Sequence, residues 1–178
     1  QAAFVGTKAT PKLAIVFASI TYDEANTAPK AIRELVGDIP IVGGSAGSCV
    51  LGPADVATRG ISVVLVGGDD IHVVSRAAEI GSPELVSVVP AAQEIARAAD
   101  EAAKNGLLHY LCLVFAPGIF VDGEALVAAV RKGAGARAQL AGGLTGDDLT
   151  IDRPKVWAND ELRSDHVVLA GIFTKKNV

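Results

Sequence analysis

Two short segments hold the residues best suited to chemistry. Val42 to Ser48 reads Val-Gly-Gly-Ser-Ala-Gly-Ser, and Ala141 to Asp148 reads Ala-Gly-Gly-Leu-Thr-Gly-Asp-Asp. Adjacent glycines remove two Cβ atoms at once, so the backbone can reach φ > 0 and a second backbone or a ligand can come close. Gly43 to Gly47 also satisfies G-x-S-x-G, and Ser45, then Asp147 or Asp148, then His166 follow the chain order of a hydrolase triad. That chemistry needs a helix directly after the serine. Here Cys-Val-Leu-Gly-Pro follows, and the counterpart of Ser45 in the second segment is Leu144, so a serine hydrolase using Ser45 is only an alternative reading. Neither segment opens a helix with G-x-G-x-x-G or carries a Walker lysine, so no nucleotide site is indicated. His72, His109 and His166 stand singly, without the spacing of a zinc site. One of them in an apolar pocket would still suffice as an axial haem ligand. Asp147 and Asp148 suit either an amine-bearing ligand or the hydrogen bonds of a tight turn.

The glycine segments need elements to position them, and apolar periodicity supplies these. Lys12 to Ser19 is a near-continuous apolar run and reads as a buried strand. Ala28, Ile32, Leu35 and Val36 recur at helical spacing, with Thr21 and Glu24 as a capping box and Gly37 as the stop. Ile39 to Val42 is a second strand that ends at the first glycine pair, Cys49 to Arg59 is a loop, and Gly60 to Val66 is a third strand. A turn at Gly67 to Asp70 then returns Ile71 to Arg76 as a hairpin partner. Ser82 opens a helical region that closes at Asn105-Gly106 and that Pro90 is expected to divide into two helices. Leu108 to Ala116 is the next strand, and Asp122 caps a helix ending at Gly133. Ala138 to Ala141 leads into the second glycine pair. Lys155 to Ala158 and Leu162 to Phe173 are strands about an Asn159-Asp160 turn.

Laid side by side, the two ends of the chain echo one another. Ile15-Val16-Phe17-Ala18 matches Leu113-Val114-Phe115-Ala116, Gly43-Gly44 matches Gly142-Gly143, and Ser62 to Leu65 resembles His166 to Leu169, all in the same order. The fold class expected is α/β in the mixed α+β sense, a layered mixed β-sheet with flanking helices. It would be built from two pseudo-symmetric β-α-β-(Gly-Gly)-β halves, 12–76 and 107–174, within a single domain over 1–178. In such an arrangement both glycine segments should meet near the axis, where pockets commonly lie.

Composition narrows the function. Half of the 178 residues are apolar and 20% are charged, enough for a real core. A net charge of -4 and an aromatic content of 4% argue against a nucleic-acid partner. No run long enough to span a membrane and no signal-peptide pattern occurs, so a cytoplasmic setting without membrane contact is expected. Cys49 and Cys112 are far apart in apolar surroundings, as reduced thiols would be. The chain begins with Gln and contains no Met, which points to a piece of a longer protein.

With these residues in view, the chain resembles the N-terminal FIST domain of bacterial signal-transduction proteins. The likeness rests on Leu13 to Ser19 with Tyr22-Asp23 after it, Ile41 to Gly47, Ala141 to Asp148, Val156-Trp157 and Asp165 to Leu169. The resemblance implies a sensory module for small ligands, amino acids having been proposed, followed by a FIST C-terminal domain and coupled to signalling output proteins. Some members of that family are reported to bind haem, which makes a haem-based gas sensor a second alternative. The resemblance carries over no catalytic residue, so the chain is not expected to be an enzyme. The expected ligand-binding residues are Ser19, Gly43, Gly44, Ser45, Gly47, Gly142, Gly143, Thr145, Gly146 and Asp148. Their backbones would offer N–H and C=O groups to a small polar molecule, and Ser19, Ser45, Thr145 and Asp148 would add side-chain contacts.

Overall fold

The apolar runs around Phe17 and Phe115 become central strands of two separate sheets. The computed structural model describes residues 9–19, 28–47, 50–51, 56–81, 85–147 and 154–176. In chain order the elements are β1 (Pro11–Ser19), α1 (Ala28–Val36), β2 (Ile41–Ala46), β3 (Val50–Leu51), β4 (Val56–Ala57), β5 (Ile61–Gly67) and β6 (Ile71–Glu79). They continue with α2 (Val88–Lys104), β7 (His109–Pro117), α3 (Gly123–Ala134), β8 (Gln139–Thr145), β9 (Val156–Ala158), β10 (Glu161–Arg163) and β11 (His166–Thr174). One mixed sheet has the order β10-β9-β2-β1-β5, the other β6-β11-β7-β8, and β3 pairs with β4.

Side-chain alternation along the strands sorts the core into layers. Ala14, Val16, Ala18, Ile41 and Trp157 turn one face of the first sheet toward Ala28 and Ile32 of α1. Leu13 and Val42 point the other way and meet Phe115, Val168 and Ile172 of the second sheet. Cys112, Leu169 and Phe173 face α2 and α3 on the far side. The layers therefore run α1, first sheet, second sheet, then α2 with α3, an α+β architecture. β11 is buried from Val167 to Thr174 because strands flank it and layers cover both faces, which explains its unbroken apolar run. Gly133 lets α3 close on α2, since a Cβ there would lie 2.4 Å from the Val89 carbonyl oxygen.

At Asp122 and at the Asn159-Asp160 turn the local signals match the structure. Asp122 accepts hydrogen bonds from the amides of Glu124 and Ala125 at 2.8 and 2.9 Å, capping α3. Asn159 takes φ 55° in the β9–β10 turn, and its amide donates to the Ile41 carbonyl at 2.9 Å. Arg33 of α1 reaches the same turn through an ion pair with Asp160 at 2.6 Å.

Five expectations are corrected. β6 does not form a hairpin with β5; it crosses to the other sheet and pairs with β11 along its whole length. Turn chemistry at Gly67 to Asp70 reverses the chain but does not choose its partner, and the buried edge of β11 is the longer site. Pro90 does not divide α2, because it sits in the first turn, where its missing N–H would have no intrahelical acceptor. The glycine pairs lie inside β2 and β8 rather than after them. Leu162 to Phe173 is two strands, β10 and β11, with Ser164-Asp165 between them. The expected loop from Cys49 to Arg59 also holds the short β3 and β4. Thr21, Tyr22, Asp23, Glu24, Cys49, Ser82 and Asp148 lie outside the described residues.

The sheets share one local plan. β1 pairs in parallel with β2 and antiparallel with β5, while β7 pairs in parallel with β8 and antiparallel with β11. Val16 stands opposite Gly43 and Val114 opposite Gly142. Across the antiparallel pairs, Val63 faces Val16 and Leu169 faces Val114, two residues away from the sequence match of Val63 with Val167. An even shift keeps every side chain on the same face.

Candidate functional site

The two glycine segments meet, although they belong to different sheets. Removing a Cβ at Gly44 makes room for Thr145, whose Cγ2 lies 2.1 Å from where that Cβ would stand; the Lys155 carbonyl oxygen lies at 2.7 Å. Ser45 then ties three backbones together. Its Oγ donates to the Gly146 carbonyl at 2.7 Å and accepts from the Lys155 amide at 2.9 Å. The Ser45 amide donates to the Lys155 carbonyl at 2.8 Å, and the Gly146 amide donates to the Ser45 carbonyl at 3.2 Å. Beyond this knot Gly47 approaches Gly146 and Asp147, with virtual Cβ contacts of 3.6 to 3.7 Å.

The junction lies at the carboxyl ends of both parallel pairs, the position where open α/β sheets present ligand contacts. Ser19 ends β1 beside Ala46; it is fully buried and its Oγ donates to the Thr58 carbonyl at 2.9 Å. Thr145 ends β8, opposite Pro117. Its Oγ1 is buried and has no hydrogen-bond partner. A buried hydroxyl left unpaired is costly, so it marks a place where a polar group is wanted.

The expected residues therefore divide into groups. Gly44, Ser45, Gly47, Thr145 and Gly146 come together. Gly43 and Gly142 instead serve their own sheets, where each lets the backbone pass the facing valine of the neighbouring strand. Gly143 is exposed, with nothing within 4 Å of its virtual Cβ. Two contributors were not anticipated. Lys155 acts through its backbone, for which no side-chain pattern could serve as a signal. Gly118 donates its amide to the Thr145 carbonyl at 3.0 Å, and the Pro117-Gly118 pair was the available turn signal. An open depression of ≈ 410 Å³ lined by Pro29, Asp160, Glu161, Leu162 and Arg163 was likewise not expected.

Ser45 lies within a strand and its hydroxyl proton is directed at a carbonyl, an arrangement that does not activate a nucleophile. His166 instead places Nδ1 2.6 Å from Asp165, whose carboxyl this contact holds below its usual range. His72 is exposed near Phe173, and His109 stands half-buried at the first position of β7. Among the described residues no cluster of three or more His, Cys, Asp or Glu could hold a metal.

A family model for the FIST N domain matches residues 12–178. The chain belongs to the FIST N domain family. No protein of curated function matches it. The FIST N domain is a sensory and signal-transduction family rather than an enzyme family. In this FIST N domain no helix among the described residues is long and apolar enough to cross a membrane.

Away from the junction, Cys112 lies buried on β7 beside the buried hydroxyl of Tyr110. Burial pushes the Cys112 thiol up to about 12 and also raises the Tyr110 hydroxyl, by desolvation first and the neighbouring thiol second. Shut away from solvent and held as the neutral thiol, Cys112 is a poor nucleophile at pH 8. In a Cys49→Ser background, Cys112 should resist a disulfide-exchange thiol reagent in native protein and react within minutes in urea. Prompt native labelling would contradict the packing of β7 beneath α2.

Proposed function

We propose that this FIST N domain is the ligand-receiving module of a bacterial cytoplasmic sensor, binding an amino acid or similar small polar metabolite at the junction of its glycine segments. The observation that carries the reading is the Thr145 hydroxyl, buried and unpaired where two backbones from different sheets converge. A ligand there would be held by N–H and C=O groups of Gly44 to Gly47, Thr145 and Gly146, with Ser19, Ser45, Thr145 and Asp148 as side-chain contacts. Because the junction joins two sheets, a bound ligand would favour one relative placement of them. That gives a route to a following FIST C-terminal domain and to signalling partners.

Thermal unfolding with each of the twenty amino acids tests this. A true ligand at about 100 times its dissociation constant adds about 2.7 kcal/mol, a rise of about 5–10 °C for a chain of this size. Thr145→Val should raise the ligand-free midpoint slightly, by removing an unpaired hydroxyl worth about 1 kcal/mol, and should shrink the ligand-dependent rise. Midpoints unmoved by every amino acid, or a rise unchanged in Thr145→Val, would remove the reading.

A further inference from the structure

The four edges of the two larger sheets differ in how they are protected. The edge strand β10 carries Glu161 and Arg163, and β6 carries His72, Arg76 and Glu79. Charges of this kind keep other chains from adding to an edge. β5 and β8 have none. At β5 the short β3 packs nearby. Beyond β8 no strand stands among the described residues, and Ala141 to Leu144 are exposed.

The chain itself shows what such an edge takes. β2 occupies the place in the first sheet that β8 has in the second, with the same parallel partner and the same glycine register. On its outer side β2 carries β9, antiparallel, with Trp157 opposite Gly43 and Val156 opposite Gly44. Trp157 is fully buried against α1, the helix that crosses from β1 to β2. α3 crosses from β7 to β8 in the same way, and on the outer side the place opposite Gly142 has no side chain from a strand among the described residues. Leu144 and Phe120 are about half exposed, as is Val127 of α3, which lies one helical turn beyond Gly123, where an added Cβ would stand 3.8 Å from Leu144 Cδ1.

We propose that the outer edge of β8 is the docking site for an extended, uncharged segment of a partner protein. The segment adds antiparallel to β8 and places a large apolar side chain, aromatic by analogy with Trp157, opposite Gly142 and against the flank of α3. Main-chain hydrogen bonds supply the pairing and the aromatic side chain supplies selectivity, as in strand addition generally. The absence of charge on Gln139–Thr145 selects a neutral strand, since a lone charge laid against this edge would lose solvent without gaining a counter-ion.

A capped peptide, Thr-Val-Trp-Ala-Asn-Thr, reproduces the β9 segment with uncharged flanks and serves as the probe. Amide hydrogen exchange of the whole chain at millimolar peptide should slow about tenfold at residues 141–144 and stay unchanged in β5. Replacing Trp in the peptide by Gly should abolish the effect. So should Leu144→Lys or Ala141→Lys, both at exposed positions where the unfolding midpoint stays near that of the parent. No slowing at 141–144, equal slowing at β5, or slowing that the Gly peptide reproduces would overturn the proposal. Slowing at the same amides that grows with protein concentration and needs no peptide would assign the edge to a second copy of this chain, and would overturn it too.

Discussion

Gly43→Ala and Gly142→Ala are each expected to cost about 3–5 kcal/mol of folding stability, combining a strained backbone with a clash that cannot relax by rotation. Gly43 has φ 130° and Gly142 has φ 146°, conformations that side-chain-bearing residues rarely adopt. A Cβ would lie 2.0 Å from the Val16 carbonyl oxygen in the first case and 1.9 Å from the Val114 carbonyl oxygen in the second. Those oxygens belong to the paired central strands, so relief requires moving β1 away from β2 or β7 from β8. Such a loss is a large share of the about 5–15 kcal/mol that holds a typical domain together. Gly143→Ala is the built-in control, because nothing lies within 4 Å of its virtual Cβ. It should be neutral or stabilising by about 0.5 kcal/mol through the unfolded state. Urea unfolding followed by circular dichroism distinguishes them. A Gly142→Ala loss below about 1 kcal/mol would contradict the close passage of the two strands.

Trp157→Ala should cost about 3–5 kcal/mol, the range for removing a large buried aromatic side chain. The indole is fully buried between the first sheet and α1, and Gly43, beside it on β2, offers no side chain to refill the space. Its Nε1 has no hydrogen-bond partner, so Trp157→Phe removes an unpaired donor along with volume and should cost far less, about 1 kcal/mol. As the single tryptophan of the chain, Trp157 should emit at a wavelength well to the blue of free tryptophan and shift red on unfolding. Unfolding midpoints of the two variants by circular dichroism test the ranking. A small loss in Trp157→Ala would mean that α1 does not close over this part of the sheet.

Much of the architecture was legible because local chemistry and period agreed. The apolar runs that became β1 and β7, the Asp122 cap, the stops at Gly37 and Asn105-Gly106 and the Asn159-Asp160 turn all depend on residues within a few positions of one another. Non-local competition decided the rest. The turn after Gly67 was readable, but whether β6 stays beside β5 depends on β11, some ninety residues further along the chain. Pro90 was misread because its effect depends on its distance from the helix start, and that start was set by Leu85 and Val88 burying against the second sheet.

The candidate site divides in the same way. The sequence by itself determined that two glycine-paired segments exist, that each lies against an apolar strand, and that Ser45 and Thr145 accompany them. Only the tertiary structure decided that Gly43 and Gly142 serve strand pairing inside their own sheets, while Gly44, Ser45 and Gly146 join the two sheets through Thr145 and the backbone of Lys155. The reason is that a glycine declares where a backbone can come close without naming which backbone will. That choice belongs to the packing of layers, to which residues far apart in sequence contribute together.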